Sequence, residues 1–382
     1  MKRILFKTGH TGLGGVERTQ VEYINYLHSI NANFKVVLDK NFAEQNAMHD
    51  MFLCPVTYFK NETATAEFEN AKQNKNNSFL HKIKYNFAIS KYRKTLRTEF
   101  AEIVNDFKPE IAINYHTGYY FDLDTLKKCK NIVWIHTAII NPKRPINKAL
   151  KYIKTLHKYD LIVCVSKGIV EEIIELAPEL KNKTTYLYNP INFERIKKLS
   201  NDNLIDNEIN EKFLLMVARL DLGKGFDTLF KAFDIAKDNG YDGKLYVVGD
   251  GKINDTIIIN ELLNQSKYKE EIKLLGGKIN PFNWMKHCDK FILTSIFEGL
   301  GIVLIEALAV KDIVISSNCK TGPNEILDNG KYGYLFEVGD YNELARLMIE
   351  AKPKDRTEID KHLEQFSPEV VLPKFNNILN GM

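Results

Sequence analysis

The run FLLMVARLDLGKGF, residues 213–226, decides the fold. Five apolar residues, Phe213 to Val217, lead directly into a loop that ends Gly-Lys-Gly. A short continuous apolar run closed by turn residues reads as a strand buried on both faces. A helix is predicted next, over 226–239. Working outward, the alternation repeats downstream, with strands at 244–248, 272–275, 290–294 and 312–316. Helices are expected at 253–267, at 303–310 and near 341–350. Upstream, strands read at 3–7, 34–38, 110–114, 131–135 and 160–165, with helices at 17–30 and 80–104. This order predicts an α/β protein of two doubly wound Rossmann-like domains facing a cleft.

The chain has 382 residues, of which 44% are hydrophobic and 27% charged, enough for two domains with their own cores. The join is placed near Asn189-Pro190, where proline stops the preceding element and a polar run, 200–211, follows. The domains are then 1–190 and 191–365. The terminal helix, 366–382, is left open, with the first domain the candidate it would complete. An Asn/Lys-rich patch at 70–77 reads as a surface loop. No apolar stretch is long enough for a transmembrane helix. The N-terminus lacks the apolar region and cleavage site of a signal peptide. Five cysteines, with no Cys-x-x-Cys pair, argue against a disulfide framework or structural zinc and fit a cytoplasmic protein.

Charge is divided unevenly. Residues 1–190 hold 28 Lys and Arg against 19 Asp and Glu, and residues 191–382 hold 25 against 30. The basic excess peaks at Lys82, Lys84, Lys91, Arg93, Lys94 and Arg97, with no acid among them, and continues at Lys143, Arg144, Lys148, Lys151, Lys154 and Lys158. Tyr85, Phe87 and Tyr92 are interleaved. This surface suits an anionic membrane or acceptor, or is a solvated helix packed on the sheet. No nucleic-acid recognition motif accompanies it, so nucleic acid is not expected as a partner.

Three loops at strand ends carry residues suited to chemistry. After the first strand, Gly9-His10-Thr11-Gly12-Leu13-Gly14-Gly15-Val16-Glu17 lets backbone amides approach a phosphate at a helix N-terminus, or simply makes a tight turn. Glu17 stands where a dinucleotide fingerprint needs a third glycine, although Asp39 could serve as its ribose-binding acid. After 213–217, Arg219 and Lys224 lie five apart on a loop entering a helix and can clamp a diphosphate. After 290–294 comes Ser295-Ile-Phe-Glu298-Gly-Leu-Gly301, and Glu306 follows inside an apolar helix. A carboxylate in that setting needs a partner or a ligand, such as a ribose diol, unless it lies on the helix's exposed face.

Arg219…Lys224-Gly225 with Glu298-x7-Glu306 resembles the donor-site signature of retaining glycosyltransferases of the GT-B fold, family four. Gly14-Gly15-Val16-Glu17 resembles that family's N-domain glycine loop. The segment 293–327 is also similar to bacterial lipopolysaccharide α-galactosyltransferases, at Thr294-Ser295, Phe297-Glu298-Gly299 and 316–323. The resemblance spans most of the chain and is thinnest at 40–130.

What the resemblance implies is a hexosyltransferase using a nucleotide sugar, preferably UDP-linked, with retention, no metal and no other cofactor. Arg219 and Lys224 would hold the diphosphate and Glu306 the ribose. Glu298 with the amides of Gly299, Leu300 and Gly301 would hold the sugar and β-phosphate. His136 matches the family's N-domain histidine near the sugar, with His10 and His116 as competitors. Gly14 and Gly15 would approach phosphate or acceptor. The acceptor would be a glycan or glycolipid of lipopolysaccharide, lipooligosaccharide or capsule, met in the cytoplasm or at the inner face of the membrane. Asp122-Leu-Asp124 is read as a surface pair, not a metal site. Two departures stand out: Val310-Lys311-Asp312-Ile313 lacks the usual Gly-x-Pro, and Thr321-Gly322-Pro323 replaces Gly-Gly-Pro. Rival readings are a nicotinamide-dependent oxidoreductase using Gly12, Gly14 and Asp39, and a non-catalytic sugar-nucleotide-binding subunit.

Overall fold

The computed structural model describes residues 2–9, 14–39, 48–59, 62–117, 121–202 and 211–382. A seven-stranded sheet is built from β1 (Ile4–Thr8), β2 (Phe34–Leu38), β3 (Val56–Tyr58), β4 (Ile111–Asn114), β5 (Lys130–Ile135), β6 (Leu161–Cys164) and β7 (Thr184–Tyr186). Its order is β3-β2-β1-β4-β5-β6-β7. A six-stranded sheet uses β8 (Phe213–Val217), β9 (Lys244–Val248), β10 (Ile272–Leu274), β11 (Lys290–Leu293), β12 (Val314–Ser317) and β13 (Tyr334–Phe336), in the order β10-β9-β8-β11-β12-β13. Pairing is parallel in both, for example Ile4 opposite Phe34 and Ile111, and Leu215 opposite Tyr246 and Phe291. In each sheet the strand order reverses once, beside β1 and β4 and beside β8 and β11. Ligands of such sheets bind outside the carboxyl ends of the strands at that reversal.

The chain forms two compact units, one of Met1–Ile135, Lys154–Val163 and Asn376–Met382, the other of His136–Ile153 and Cys164–Phe375. The first is centred on fully buried rings. Phe6 and Tyr115 lie 5.2 Å apart, and Tyr23 packs on Trp134 at 5.3 Å. A second cluster joins Leu5, Val37, Phe59, Leu96 and Phe100. In the other unit Phe213 stacks on Tyr246 at 4.9 Å, with Trp284 edge-on.

The continuous apolar runs became strands, β1, β2 and β8 each with a buried interior. Three-residue strands β3, β7 and β13 were not anticipated, because a run that short carries no periodicity. The patch at 70–77 is not wholly a loop. Helix Glu62–Asn74 runs through its first half and packs Phe68 flat on Tyr92, 4.7 Å between centroids.

At the carboxyl ends of β1 and β2, Lys7 is 1% exposed and ion-paired with buried Asp39. Its ammonium also donates to the Thr8 carbonyl at 2.6 Å. Burial pushes the Lys7 ammonium below its ordinary value, and Asp39 opposes that only in part. Removing one partner of such a pair strands the other charge. Asp39→Asn should therefore lower unfolding free energy by about 3 kcal/mol, read as an earlier urea midpoint. In that variant stability should rise with pH below the unfolded-state value of 10.5, because the unfolded chain then holds a Lys7 proton that the folded chain sheds. A midpoint equal to wild type would mean that the pair contributes nothing.

Candidate functional site

The loops after β8 and β11 meet at the reversal point of the second sheet. Thr294 Oγ1 donates to the Lys224 carbonyl at 2.7 Å, and the Ile296 amide donates to the Gly223 carbonyl at 2.9 Å. Gly225 takes φ +68° between the loop and helix Phe226–Asp238, and a Cβ there would sit 3.1 Å from the Thr294 carbonyl carbon. Only glycine combines that backbone with that approach.

Lys224 Nζ lies 2.5 Å from Glu298 Oε1, and Ser295 Oγ donates to the same oxygen at 2.6 Å. The pair is mostly shielded, with side chains 18% and 12% exposed. Arg219 is exposed on the same loop. Between the two cations, Asp221 accepts from the Gly223 amide at 2.9 Å and is ion-paired with Lys143. Burial alone would raise the Asp221 carboxyl. Lys143, the Gly223 amide and Arg219 together hold it below the usual value.

The backbone of 298–301 is held from several sides. The Glu298 carbonyl accepts from the Ala138 amide at 3.2 Å and from Thr321 Oγ1 at 2.6 Å. The Gly299 carbonyl accepts from Ser166 Oγ at 2.8 Å. Ser166 also caps helix Lys167–Leu176. From that helix, buried Glu172 accepts the amides of Ile139 and Ile140 at 2.6 and 2.9 Å, fixing the segment that begins at His136. At the helix N-terminus, Glu325 accepts from the Lys167 amide at 3.0 Å and from the Tyr188 hydroxyl at 2.5 Å. Leu300 is buried, and Gly301 precedes helix Ile302–Leu308. Within that helix Glu306 is 7% exposed, among fully buried Leu304, Ile305, Ala307 and Leu308. It therefore does not lie on an exposed face.

One unit thus gathers Arg219, Lys224, Glu298, Gly299, Leu300, Gly301, Glu306 and His136. Gly14 and Gly15 belong to the other unit, where Gly14 caps helix Gly15–Ser29 and its carbonyl accepts from the Arg18 amide at 3.0 Å. His116 follows β4 there, and His10 and Gly12 lie outside the described residues. Asp39 is buried and ion-paired with Lys7. Asp122 is bonded to Thr125 and ion-paired with Arg97. Among the described residues no three of His, Cys, Asp or Glu gather as a metal-holding group.

Of the residues that fasten these loops, Ser166, Glu172 and Glu325 carried no sequence assignment, and Lys143 was read as part of the basic surface. Glu172 had a signal, an acid in the apolar run Ile169-Val-Glu-Glu-Ile-Ile174. Thr321 stood out only as a departure from Gly-Gly-Pro.

Residues 197–368 match the family profile described as glycosyl transferases group 1. A Campylobacter jejuni protein named N-acetylgalactosamine-N,N'-diacetylbacillosaminyl-diphospho-undecaprenol 4-alpha-N-acetylgalactosaminyltransferase is 34% identical over 187 residues, 49% of each chain. The chain spans about half the length of the curated relatives it matches. A crystal structure of an Anabaena protein in complex with UDP and glucose aligns over 100% of both chains with TM-score 0.72 and 16% identity. The apo form of a lipopolysaccharide outer core galactosyltransferase aligns over 100% of both chains, with TM-score 0.67 and 19% identity. The fold is GT-B, with two Rossmann-like domains.

At Gly299 a Cβ would lie 2.6 Å from the His136 carbonyl carbon and 3.1 Å from Thr137 Cα, both rigid backbone. Gly299→Ala should therefore displace the loop and destabilise the unit by about 1–3 kcal/mol, read as a lower thermal midpoint. Unchanged thermal unfolding would show that the loop gives way without cost.

Proposed function

We propose that the chain is a nucleotide-sugar-dependent glycosyltransferase that moves a hexose, with retention, from a UDP-linked donor to a glycan or glycolipid acceptor. The observation that carries the reading is the Lys224–Glu298 pair at 2.5 Å, set at the sheet's reversal point beside Arg219. Lys224 is neutralised by Glu298, whose carboxylate also accepts from Ser295. An incoming diphosphate takes over Lys224 and meets Arg219 on the same loop. Glu298 is then free to accept hydrogen bonds from the sugar hydroxyls. Glu306, eight residues on, accepts from the ribose diol. His136, held close to Gly299 by the backbone contact, faces the reacting sugar.

Chemistry follows from this division of labour. The bond between the anomeric carbon and the β-phosphate oxygen breaks as the acceptor oxygen attacks from the same face. The departing phosphate oxygen takes the acceptor's hydroxyl proton, so no protein base is required. Fixed cations aimed at the leaving diphosphate lower the barrier, because they stabilise charge that develops only in the transition state. In this reading the cations serve in place of a metal ion, and activity persists in EDTA. Support for a lipid- or polysaccharide-linked acceptor comes from the name of the Campylobacter jejuni relative, an undecaprenol-linked glycan enzyme. The reaction is placed at the inner face of a membrane. No helix among the described residues is long and apolar enough to cross one.

The test is binding and slow hydrolysis of UDP-, GDP- and ADP-sugars in EDTA. Glu306→Ala should weaken donor binding by about tenfold to a hundredfold, the effect of losing a charged hydrogen-bond acceptor. Lys224→Ala should lower kcat/KM by about a hundredfold or more. If no nucleotide sugar binds, or if turnover demands a divalent metal, the reading is wrong.

A further inference from the structure

Helix Phe79–Phe107 has two apolar faces, and the fold uses one. Tyr92, Leu96, Phe100 and Val104 recur every four residues and are buried. Two turns earlier, Tyr85 continues that face toward Phe68 of helix Glu62–Asn74, 6.0 Å between centroids. From Phe79 to Lys91 no residue is buried. In this stretch Phe79, Ile83 and Phe87, again four apart, are 77%, 49% and 73% exposed, with Leu80 beside them at 68%. At 3.6 residues per turn they form a stripe on the side opposite Tyr85 and Tyr92, about 12 Å long. The sequence reading put Tyr85, Phe87 and Tyr92 together on this surface. Only Phe87 is exposed there, because Tyr92 is stacked on Phe68.

Cations surround the stripe. Lys82, Lys84, Lys91, Arg93, Lys94 and Arg97 stand between Phe79 and the first acid of the helix, Glu99. Two are engaged within the unit, Lys91 with Glu67 at 2.6 Å and Arg97 with Asp122 at 3.1 Å. Among the described residues Lys82, Lys84, Arg93 and Lys94 have no carboxylate partner, and all four are exposed. A helix with Phe and Leu on one face, Lys and Arg along its margins and no acid lies in the plane of a bilayer. Its rings enter the acyl boundary and its long cations reach the lipid phosphates.

We infer that the N-terminal half of this helix, from Phe79 to Lys94, docks the protein on an anionic lipid bilayer. Charge complementarity selects this occupant. Four uncommitted cations need a surface dense in negative charge, and the apolar stripe between them needs an apolar layer directly beneath it. A bilayer offers both, whereas a nucleic acid offers no apolar partner for Leu80 and Ile83. The inference rests on the proposed function for its purpose, bringing the enzyme to a membrane-held acceptor, but not for its evidence.

The experiment is flotation of the full chain with phosphatidylcholine vesicles, with and without about 30 mol% phosphatidylglycerol. Wild type should float with the anionic vesicles only, and less at high salt. The Phe79→Ser/Phe87→Ser variant should lose flotation by at least about tenfold, and so should Lys82→Gln/Lys84→Gln/Arg93→Gln/Lys94→Gln, since each cation near an anionic surface contributes several-fold. Both replace exposed side chains, and circular dichroism checks that they fold. UDP-sugar binding without vesicles should stay at the wild-type level in both. Loss of sugar-nucleotide binding in wild type would thus sink the proposed function alone. Three outcomes overturn the docking inference: no flotation of wild type, equal flotation of the variants, or a stripe that mediates self-association by light scattering while vesicles are ignored.

Discussion

The close approach of the Gly299 backbone to the His136 carbonyl is the constraint from which the candidate site follows. Two segments more than 160 residues apart in sequence are brought to backbone contact, and no side chain fits between them. Carbonyls buried at such a junction must be paired, because an unpaired buried polar group costs as much as a lost hydrogen bond. The Glu298 carbonyl takes the Ala138 amide and the Thr321 hydroxyl, and the Gly299 carbonyl takes the Ser166 hydroxyl. Thr321, where the related pattern has glycine, thereby holds the carbonyl of the residue whose carboxylate faces Lys224.

A second consequence is electrostatic. With its backbone fixed, Glu298 sets its carboxylate against Lys224 and Ser295. Asp221 likewise sits against Lys143. The site is therefore a set of opposite charges already in position. In the proposed reading a diphosphate would exchange one anionic partner for another without building the site anew, which is the preorganisation that makes fixed charges effective.

In the other unit the tension is between two uses of one helix. From Tyr92 onward it is held by Tyr92, Leu96, Phe100 and Val104 in the core, whereas from Phe79 to Lys91 it has no buried residue. Burying four large side chains stabilises by several kcal/mol, about 1.5–3 for each, so the helix is anchored at one end only. The exposed aromatic and aliphatic residues at the other end add nothing to that core.

Strands such as 34–38 and 213–217 could be read from sequence because burial on both faces writes itself as an unbroken apolar run. The loops after them were equally legible, since Gly, Lys and acid residues at strand ends are local features, and Glu306 stood out as an acid in an apolar helix. Strands β3, β7 and β13 did not, nor did the side of helix Phe79–Phe107 that faces inward, because Tyr92 and Phe87 are alike in composition and differ only in what packs on them. Sequence alone determined the alternation of elements and the residues at each strand end. Tertiary structure decided which of those ends meet and which side chains fasten them. Ser166 and Gly299 are 133 positions apart, and a hydrogen bond across that distance leaves no periodic trace in the chain.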